Sequence, residues 1–339
     1  MTEVAAPRAA ARPARRRRPL LRFVIRRLAA AVATLFVVSI LIFAGTEVLP
    51  GDAASAVLGR TASPEQLAEM QELMGLDRPA HERYLDWLGG VLTGDLGNSA
   101  AGYAAGGEVP IWDDIAPKIG NSLTLAGITA LLMVPLALVL GVLAAVRAGR
   151  TVDHAISLGS LAIISLPEFI IGSLLILLFF SWLDVLTPVS LVPPGESALA
   201  RPEALVLPVL TLLGASLAAS IRMVRAGMLE ALNAECVTMA RLNGLRERVV
   251  VARYALRNAL APSVQVFAQN IQYLVGGIVV TEYLFSYPGL GKELVDAVAI
   301  RDVREVQSVA LLVAAVYVLL NIVADLLVVL VVPKLRTQP

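Results

Sequence analysis

The sequence predicts an all-α polytopic membrane protein, with six transmembrane helices and both termini in the cytoplasm. Three observations carry this expectation. The 339 residues are 57% hydrophobic and only 16% charged, whereas an ordinary soluble domain is about a quarter charged. The apolar residues come in long runs separated by short polar stretches, and a run of roughly 20 is what a helix needs to cross the hydrocarbon core. The basic residues are sorted to one side of those runs, the asymmetry that sets membrane orientation.

Six segments qualify as spans: Leu28–Val48, Leu123–Ala145, Ala155–Phe180, Ala204–Ile221, Pro262–Phe285 and Val306–Val332. In lipid each must be helical, because an open strand would leave its backbone groups unpaired. With the N-terminus inside, 20 of the 28 Lys and Arg residues fall on the cytoplasmic side. Only 5 of the 27 acids do so: Glu3, Asp153, Glu230, Glu235 and Glu247. The opposite orientation inverts both biases. The organisation expected is a disordered basic arm over 1–20, a first transmembrane helix over 21–48, an external loop with short helices over 49–122, and a five-helix core over 123–336. The arm either meets anionic lipid or serves only to set topology. A cleaved signal peptide ending near Ala54-Ser55-Ala56 is disfavoured, since the first apolar run is longer than a signal core and five further spans need orienting. Cys236 is the single cysteine and His81 and His154 the two histidines, so neither a disulfide nor a metal site is expected.

Within the external loop a helix is legible. Ser63 caps it, Pro64 suits its first turn and Gln66 completes a capping box. Leu67, Met70 and Met74 share one face and Gly75 ends it. A second amphipathic piece carries Tyr84, Leu85, Trp87 and Leu88. It reads either as an anchor at headgroup level or as a docking surface for an external partner.

The internal loop between spans four and five, residues 228–261, is long and helical in pattern, as functional loops are. Two short helices are expected, broken at Gly244, where glycine permits a left-handed backbone. Ala240 and Gly244 are small and four apart, and Arg241, Arg246 and Arg248 surround them.

The stretch Thr238-Met-Ala-Arg-Leu-Asn-Gly244-Leu245 resembles the EAA loop of ABC-importer permeases, Glu-Ala-Ala, three residues, then Gly. Ala240 matches the second Ala and Gly244 the Gly. Thr238 and Met239 replace the first two residues, positions at which the peptide-importer branch is similarly relaxed. Leu49-Pro-Gly-Asp52, Gly75-Leu-Asp-Arg-Pro79, Gly94-Asp-Leu-Gly97, Phe285-Ser-Tyr-Pro-Gly-Leu-Gly291, Asn321 and Asp325 resemble, in order, the dipeptide, oligopeptide and nickel permeases. Residues 1–20 fall outside the resemblance, and Ser99–Val109 fits it poorly. The resemblance implies the type I importer permease fold. It implies that Glu235, Thr238, Met239, Ala240, Arg241, Gly244 and Leu245 form a coupling helix seated in a separate ATPase. It further implies a second homologous permease, two ATPase subunits binding ATP and Mg, and an external substrate-binding protein or lipoprotein, all at the bacterial inner membrane. Cargo would be di- or oligopeptides, or in the same machine nickel chelates, glutathione-like compounds or haem.

No nucleotide site is expected on this chain. Gly289-Leu-Gly291-Lys292-Glu293 lacks the hydroxyl residue and spacing of a P-loop, and no nucleophile–base pair or nucleic-acid-binding pattern is evident. An enzyme is therefore not expected. An ATP-independent channel or carrier is the rival class. Gln265, Gln269, Gln272 and Gly276 share one face of span five. They form either a polar route or an interhelical seam in which small residues let helices approach. Glu168 follows Pro167 in span three, where relatives usually carry a small polar residue. Three readings stand open for it: binding a peptide's amino terminus, pairing with a neighbouring subunit, or remaining protonated.

Overall fold

The structure, a computed structural model, describes residues 19–48, 53–59, 62–104, 106–193 and 195–331. Residues 1–18 of the expected basic arm, the Leu49–Asp52 motif, Arg60, Lys334 and Arg336 lie outside the described residues. Every regular element among those described is helical; Asn98 and Pro110 form an isolated bridge.

Helix α1 (Pro19–Val48) leads into four short helices: α2 (Ala53–Leu58), α3 (Pro64–Leu73), α4 (Ala80–Thr93) and α5 (Ala100–Ala104). The capping box of α3 is formed as the sequence predicts. The Ser63 hydroxyl accepts the Gln66 N–H, and the Gln66 side chain accepts the Ser63 N–H. Helix α4 lies against the C-terminal half of α1. Its Tyr84 and Trp87 rings pack on Phe43, with centroids 5.3 and 6.3 Å away, and Arg83 pairs with Glu47. Trp87 is only 3% exposed, so it faces protein and is not the headgroup anchor that one reading of α4 allowed.

Helix α6 (Ile111–Val146) begins 12 residues before the predicted second span. Asp113, Asp114 and Lys118 look like loop in a hydropathy reading, yet they form its polar first turns. Helix α7 (Thr151–Ile164) and helix α8 (Glu168–Ile176) divide the predicted third span, with a bend of 105° between them; a wide turn extends α8 through Leu177–Trp182. Pro167 lacks the N–H that would continue the ladder. Helix α9 (Pro202–Leu232) runs 11 residues past the predicted end of span four. Helices α10 (Glu235–Leu242) and α11 (Glu247–Val249) follow, then α12 (Leu256–Leu284), α13 (Leu290–Ile300) and α14 (Val303–Val331). Five helices are individually long and apolar enough to cross a membrane, and the bent α7–α8 pair makes the sixth span.

Leu125, Met133, Ala137, Leu212, Val224, Met228, Leu274 and Ile278 form the main core, contributed by α6, α9 and α12. Helices α6 and α9 approach closely because residue 141 is glycine. A Cβ there would lie 2.6 Å from the Val224 side chain, the small-residue contact expected between membrane helices. Leu96, Ile111, Ile115, Leu290 and Val309 form a second, smaller core. Arg27 pairs with Asp325 at 2.9 Å, and Gln307 donates to Thr46 at 2.7 Å. These two contacts tie α1 to α14 near both ends and give Asp325 a structural role.

Candidate functional site

Two regions carry the residues singled out in the sequence. The first is the loop joining α9 to α12. Helix α10 buries Val237 and Ala240, one turn apart, and exposes the rest of its surface. It ends in a Schellman motif. The Gly244 N–H reaches the Arg241 carbonyl at 2.9 Å, and the Leu245 N–H reaches the Ala240 carbonyl at 3.3 Å. Gly244 has φ +72°, and a Cβ at this position would meet nothing within 4 Å. Backbone conformation, not crowding, therefore selects glycine there. The Arg241 guanidinium spans the turn to Glu247 with contacts of 3.2 and 2.7 Å, and that hydrogen bond holds the Glu247 carboxyl below its ordinary range. Met239 and Leu242 are 62% and 76% exposed, and Leu245 is also exposed. Two large apolar side chains on a rigidly capped helix, and a third in the turn that ends it, are thus exposed beside the polar Glu235, Thr238 and Arg241.

The second region is the bend. The Thr281 hydroxyl donates to Glu168 Oε1 at 2.6 Å. The carboxylate lies over Gly277, where a Cβ would be 2.5 Å from Oε2. A cavity of about 510 Å³ opens beside it, lined by Ser165, Glu168, Ala215, Ala219, Asn270 and Tyr273 among others. Gln265, Gln269 and Gly276 are exposed and Gln272 is half-buried, and none of the four lines this cavity. Glu168 instead meets the Asn270–Tyr273–Gly277–Thr281 face of α12, about 100° round the helix from the glutamine face.

Several polar residues that organise these regions have no network visible in the sequence. Asp153 is buried and receives both prongs of Arg225, at 2.6 and 2.8 Å, together with the Gly149 N–H at 2.9 Å. This clamps the α6–α7 turn to α9. Glu282, fully buried at the end of α12, caps α13: its Oε2 accepts the Gly291 and Lys292 N–H groups at 2.6 and 3.3 Å, while Ser122 donates to Oε1. The Tyr287 hydroxyl donates to the Asn121 carbonyl at 2.9 Å. The Phe285–Gly291 motif is thereby fastened to α6. Asp302 caps α14 through the Glu305 N–H and accepts the Ser99 hydroxyl at 2.6 Å, joining the start of α5 to the start of α14. Carboxylate oxygens of Asp114, Glu293 and Glu305 lie within 4.8 Å of one another. Lys118 pairs with Asp114 and Glu293, so two of the three carboxylates have a cation beside them.

The family model for a binding-protein-dependent transport system inner membrane component matches residues 137–337, and its N-terminal companion matches residues 20–125. A di/tripeptide transport system permease protein of Pseudomonas aeruginosa is 36% identical, covering 94% of this chain and 100% of that protein. A dipeptide transport system permease protein of Escherichia coli is 33% identical over 94% of this chain and 99% of its own length. A glutathione transport system permease protein of Escherichia coli is 32% identical, with coverage of 94% and 99%.

Proposed function

We propose, from the premise that this chain belongs to the family of binding-protein-dependent transport system inner membrane components, that it moves di- and oligopeptides inward in an ATP-driven importer. Family membership makes it a multi-pass permease of the bacterial inner membrane with the type I importer fold. The peptide cargo rests on the functions of the dipeptide and di/tripeptide relatives. Glutathione-like peptides are the second reading, since a relative of similar identity serves glutathione transport. A second homologous permease, two ATPase subunits holding ATP and Mg, and an external binding protein complete the proposed machine. Both termini and the α9–α12 loop face the cytoplasm in this reading.

The observation that carries it is the capped α10 helix with Met239, Leu242 and Leu245 exposed. Apolar side chains in water on a rigid helix call for a partner surface, and an ATPase cleft is the partner this family context supplies. ATP binding then shifts the population between inward-open and outward-open states, because the ATPases hold α10 differently in each. Gln265, Gln269, Gln272, Gly276 and Glu168 are proposed to border the path.

The test is Gly244→Glu, assayed by ATP-driven peptide uptake in vesicles containing the whole transporter. The space around Gly244 is open, so the fold has room for the side chain. A charge on the docking surface and a strained left-handed residue, costing about 1 kcal/mol, are then expected to abolish uptake while membrane insertion stays normal. Gly244→Asn, which tolerates positive φ, should retain much more uptake. Unchanged uptake in Gly244→Glu removes the coupling assignment. Uptake by this chain alone, without ATPases, favours a channel or carrier.

A further inference from the structure

We propose that the cavity at the α7–α8 bend is a subsite for the positively charged amino terminus of the transported peptide, with Glu168 as its counter-ion. This rests on the peptide-import reading and adds to it a place and a chemistry.

The Glu168 carboxylate is only partly satisfied. One oxygen accepts the Thr281 hydroxyl; the other receives no hydrogen bond among the described residues. No ion pair to Glu168 exists among those residues, and no Lys, Arg or His lines the cavity. A carboxylate within a membrane span is costly unless a cation or donor meets it, and such groups mark ion and substrate routes. The walls add further acceptors. The bend ends α7 without a continuing ladder, so the Ile164, Ser165 and Leu166 carbonyls receive no hydrogen bonds among the described residues, and these three residues line the cavity. They stand at the C-terminal end of α7, the negative end of its dipole. Asn270 spends an amide N–H on Ser220 at 2.8 Å, and its carbonyl oxygen remains as an acceptor. The cavity therefore presents more acceptors than donors, the Tyr273 hydroxyl and the second Asn270 N–H being the side-chain donors left among its lining residues, with a negative charge at one edge. An ammonium group, with three donors and no acceptor, matches that set; a carboxylate end does not.

The carboxylate is also held in place from behind. The present position of the Glu168 carboxylate uses the space left by a glycine at residue 277, since a Cβ there would meet Oε2 at 2.5 Å and the carboxylate would have to shift. Gly277 is thus a positioning residue for Glu168. The volume of about 510 Å³ accommodates the first residue of a peptide. Helices α9 and α12, which flank the α10 loop, form walls of the site.

The experiment uses the complete transporter with its binding protein, ATPases and second permease, and has two readouts. The first is ATP-driven uptake of dialanine into proteoliposomes. The second is infrared difference spectroscopy of the carboxyl band when excess dialanine, or N-acetyl-dialanine lacking the ammonium group, is added to the detergent-solubilised complex. The expected result is a carboxyl-band change with dialanine that is absent with the acetylated peptide and absent in Glu168→Gln. Dialanine uptake should fall roughly tenfold in Glu168→Gln, the scale of losing one partner of a partly hydrated charge pair. Glu168→Asp should retain more, and Gly277→Ala, which leaves the carboxylate but displaces it, should weaken both signals. Equal band changes with the two peptides, or none with either, overturn the subsite, as does unchanged dialanine uptake in Glu168→Gln. Assembly with the second permease that collapses in Glu168→Gln and Glu168→Asp alike, independent of peptide, also overturns it and assigns Glu168 to subunit pairing. Absence of ATP-driven uptake by the wild type instead defeats the peptide-import reading on which the subsite depends, and the two failures are told apart by that control.

Discussion

Removing the Glu282 carboxylate should unfasten α13 from the rest of the protein, and the cost follows from its bonds. Glu282 has no solvent exposure and accepts three hydrogen bonds, from the Gly291 and Lys292 N–H groups and from Ser122. The two N–H groups belong to the first turn of α13, where no intrahelical carbonyl can reach them, and the negative carboxyl end complements the positive end of the helix dipole. In Glu282→Ala both lose their acceptor in a buried site. At roughly 1–3 kcal/mol for each of the two orphaned groups, part of it recovered by water entering the vacated space, the net loss is about 2–4 kcal/mol. For a chain of 339 residues that corresponds to a drop of about 3–6 °C in Tm. Glu282→Gln keeps one oxygen for the N–H groups but turns an amide N–H₂ toward Ser122 or the helix, and should lose about half as much. Ser122→Ala removes one donor to Glu282 and the acceptor of the Leu290 N–H, 2.9 Å away, so its effect should not add to that of Glu282→Ala. The assay is the fraction of monodisperse protein remaining after heating in detergent, followed by fluorescence-detected size exclusion. A Glu282→Ala protein melting within about 2 °C of the wild type refutes the capping argument.

Two further predictions concern how α9 is held. Arg225→Ala leaves buried Asp153 without its two-pronged partner and should lower Tm more than Arg225→Lys, which keeps a charge but cannot reproduce both contacts; equal melting of the two variants contradicts this. Gly141→Ala places a methyl against Val224 and Ile221 and should cost about 1–3 kcal/mol by overpacking. Adding Val224→Ala should restore part of that loss, and a double variant less stable than either single one rules out the proposed contact.

Local chemistry is legible in this sequence and distant chemistry is opaque. The Ser63 capping box and the Gly244 helix stop can be read because each depends on residues within a few positions of one another. Gly244 interrupts an amphipathic stretch, and only a left-handed residue completes the hydrogen bonds that end α10. In the sequence the break in span three shows only as Pro167 within an apolar run, a residue able to kink a helix. Composition gives no means of telling a modest kink from a 105° bend, since Ala155–Phe180 is mostly apolar. The early start of α6 is hidden because Asp113, Asp114 and Lys118 have the polarity of a loop; the neighbours of Asp114 and Lys118, Glu293 and Glu305, are supplied from α13 and α14. Glu282 is a single acid at the end of an apolar run, and its partner Ser122 is 160 positions away. Asp153 and Arg225 are 72 apart, and in the sequence each is only a marker of topology. The glutamine face and Glu168 look alike in sequence because both are polar in spans, and the structure separates them by a rotation about α12.

The two proposed sites have a physical connection in α9. This helix is unbroken for 31 residues, about 46 Å at 1.5 Å per residue, and much of its surface is buried by α6, α7, α8 and α12. Its last turn leads directly into α10, while Ala215 and Ala219, some 20 Å back along the axis, form a wall of the cavity at the bend. A close-packed helix transmits displacement as a body, because its neighbours leave no space for local deformation. A force applied at α10 therefore has little opportunity to dissipate along α9, and the Asp153–Arg225 clamp passes it on to α7. Between α7 and α8 the chain has no continuing helix ladder, only Ser165, Leu166 and Pro167. Of the elements around the cavity, this break is the one able to change angle without breaking helix hydrogen bonds. On the coupling reading, ATPase movement at α10 should therefore alter the angle between α7 and α8 and, with it, the distance from Glu168 to the α7 carbonyls. A pair of spin labels, one on α7 and one on α8, measured in the nucleotide-free and ATP-trapped transporter, gives the decisive distance. A changed separation joins the coupling loop to the proposed peptide subsite, and an unchanged one requires the bend to be a fixed part of the scaffold.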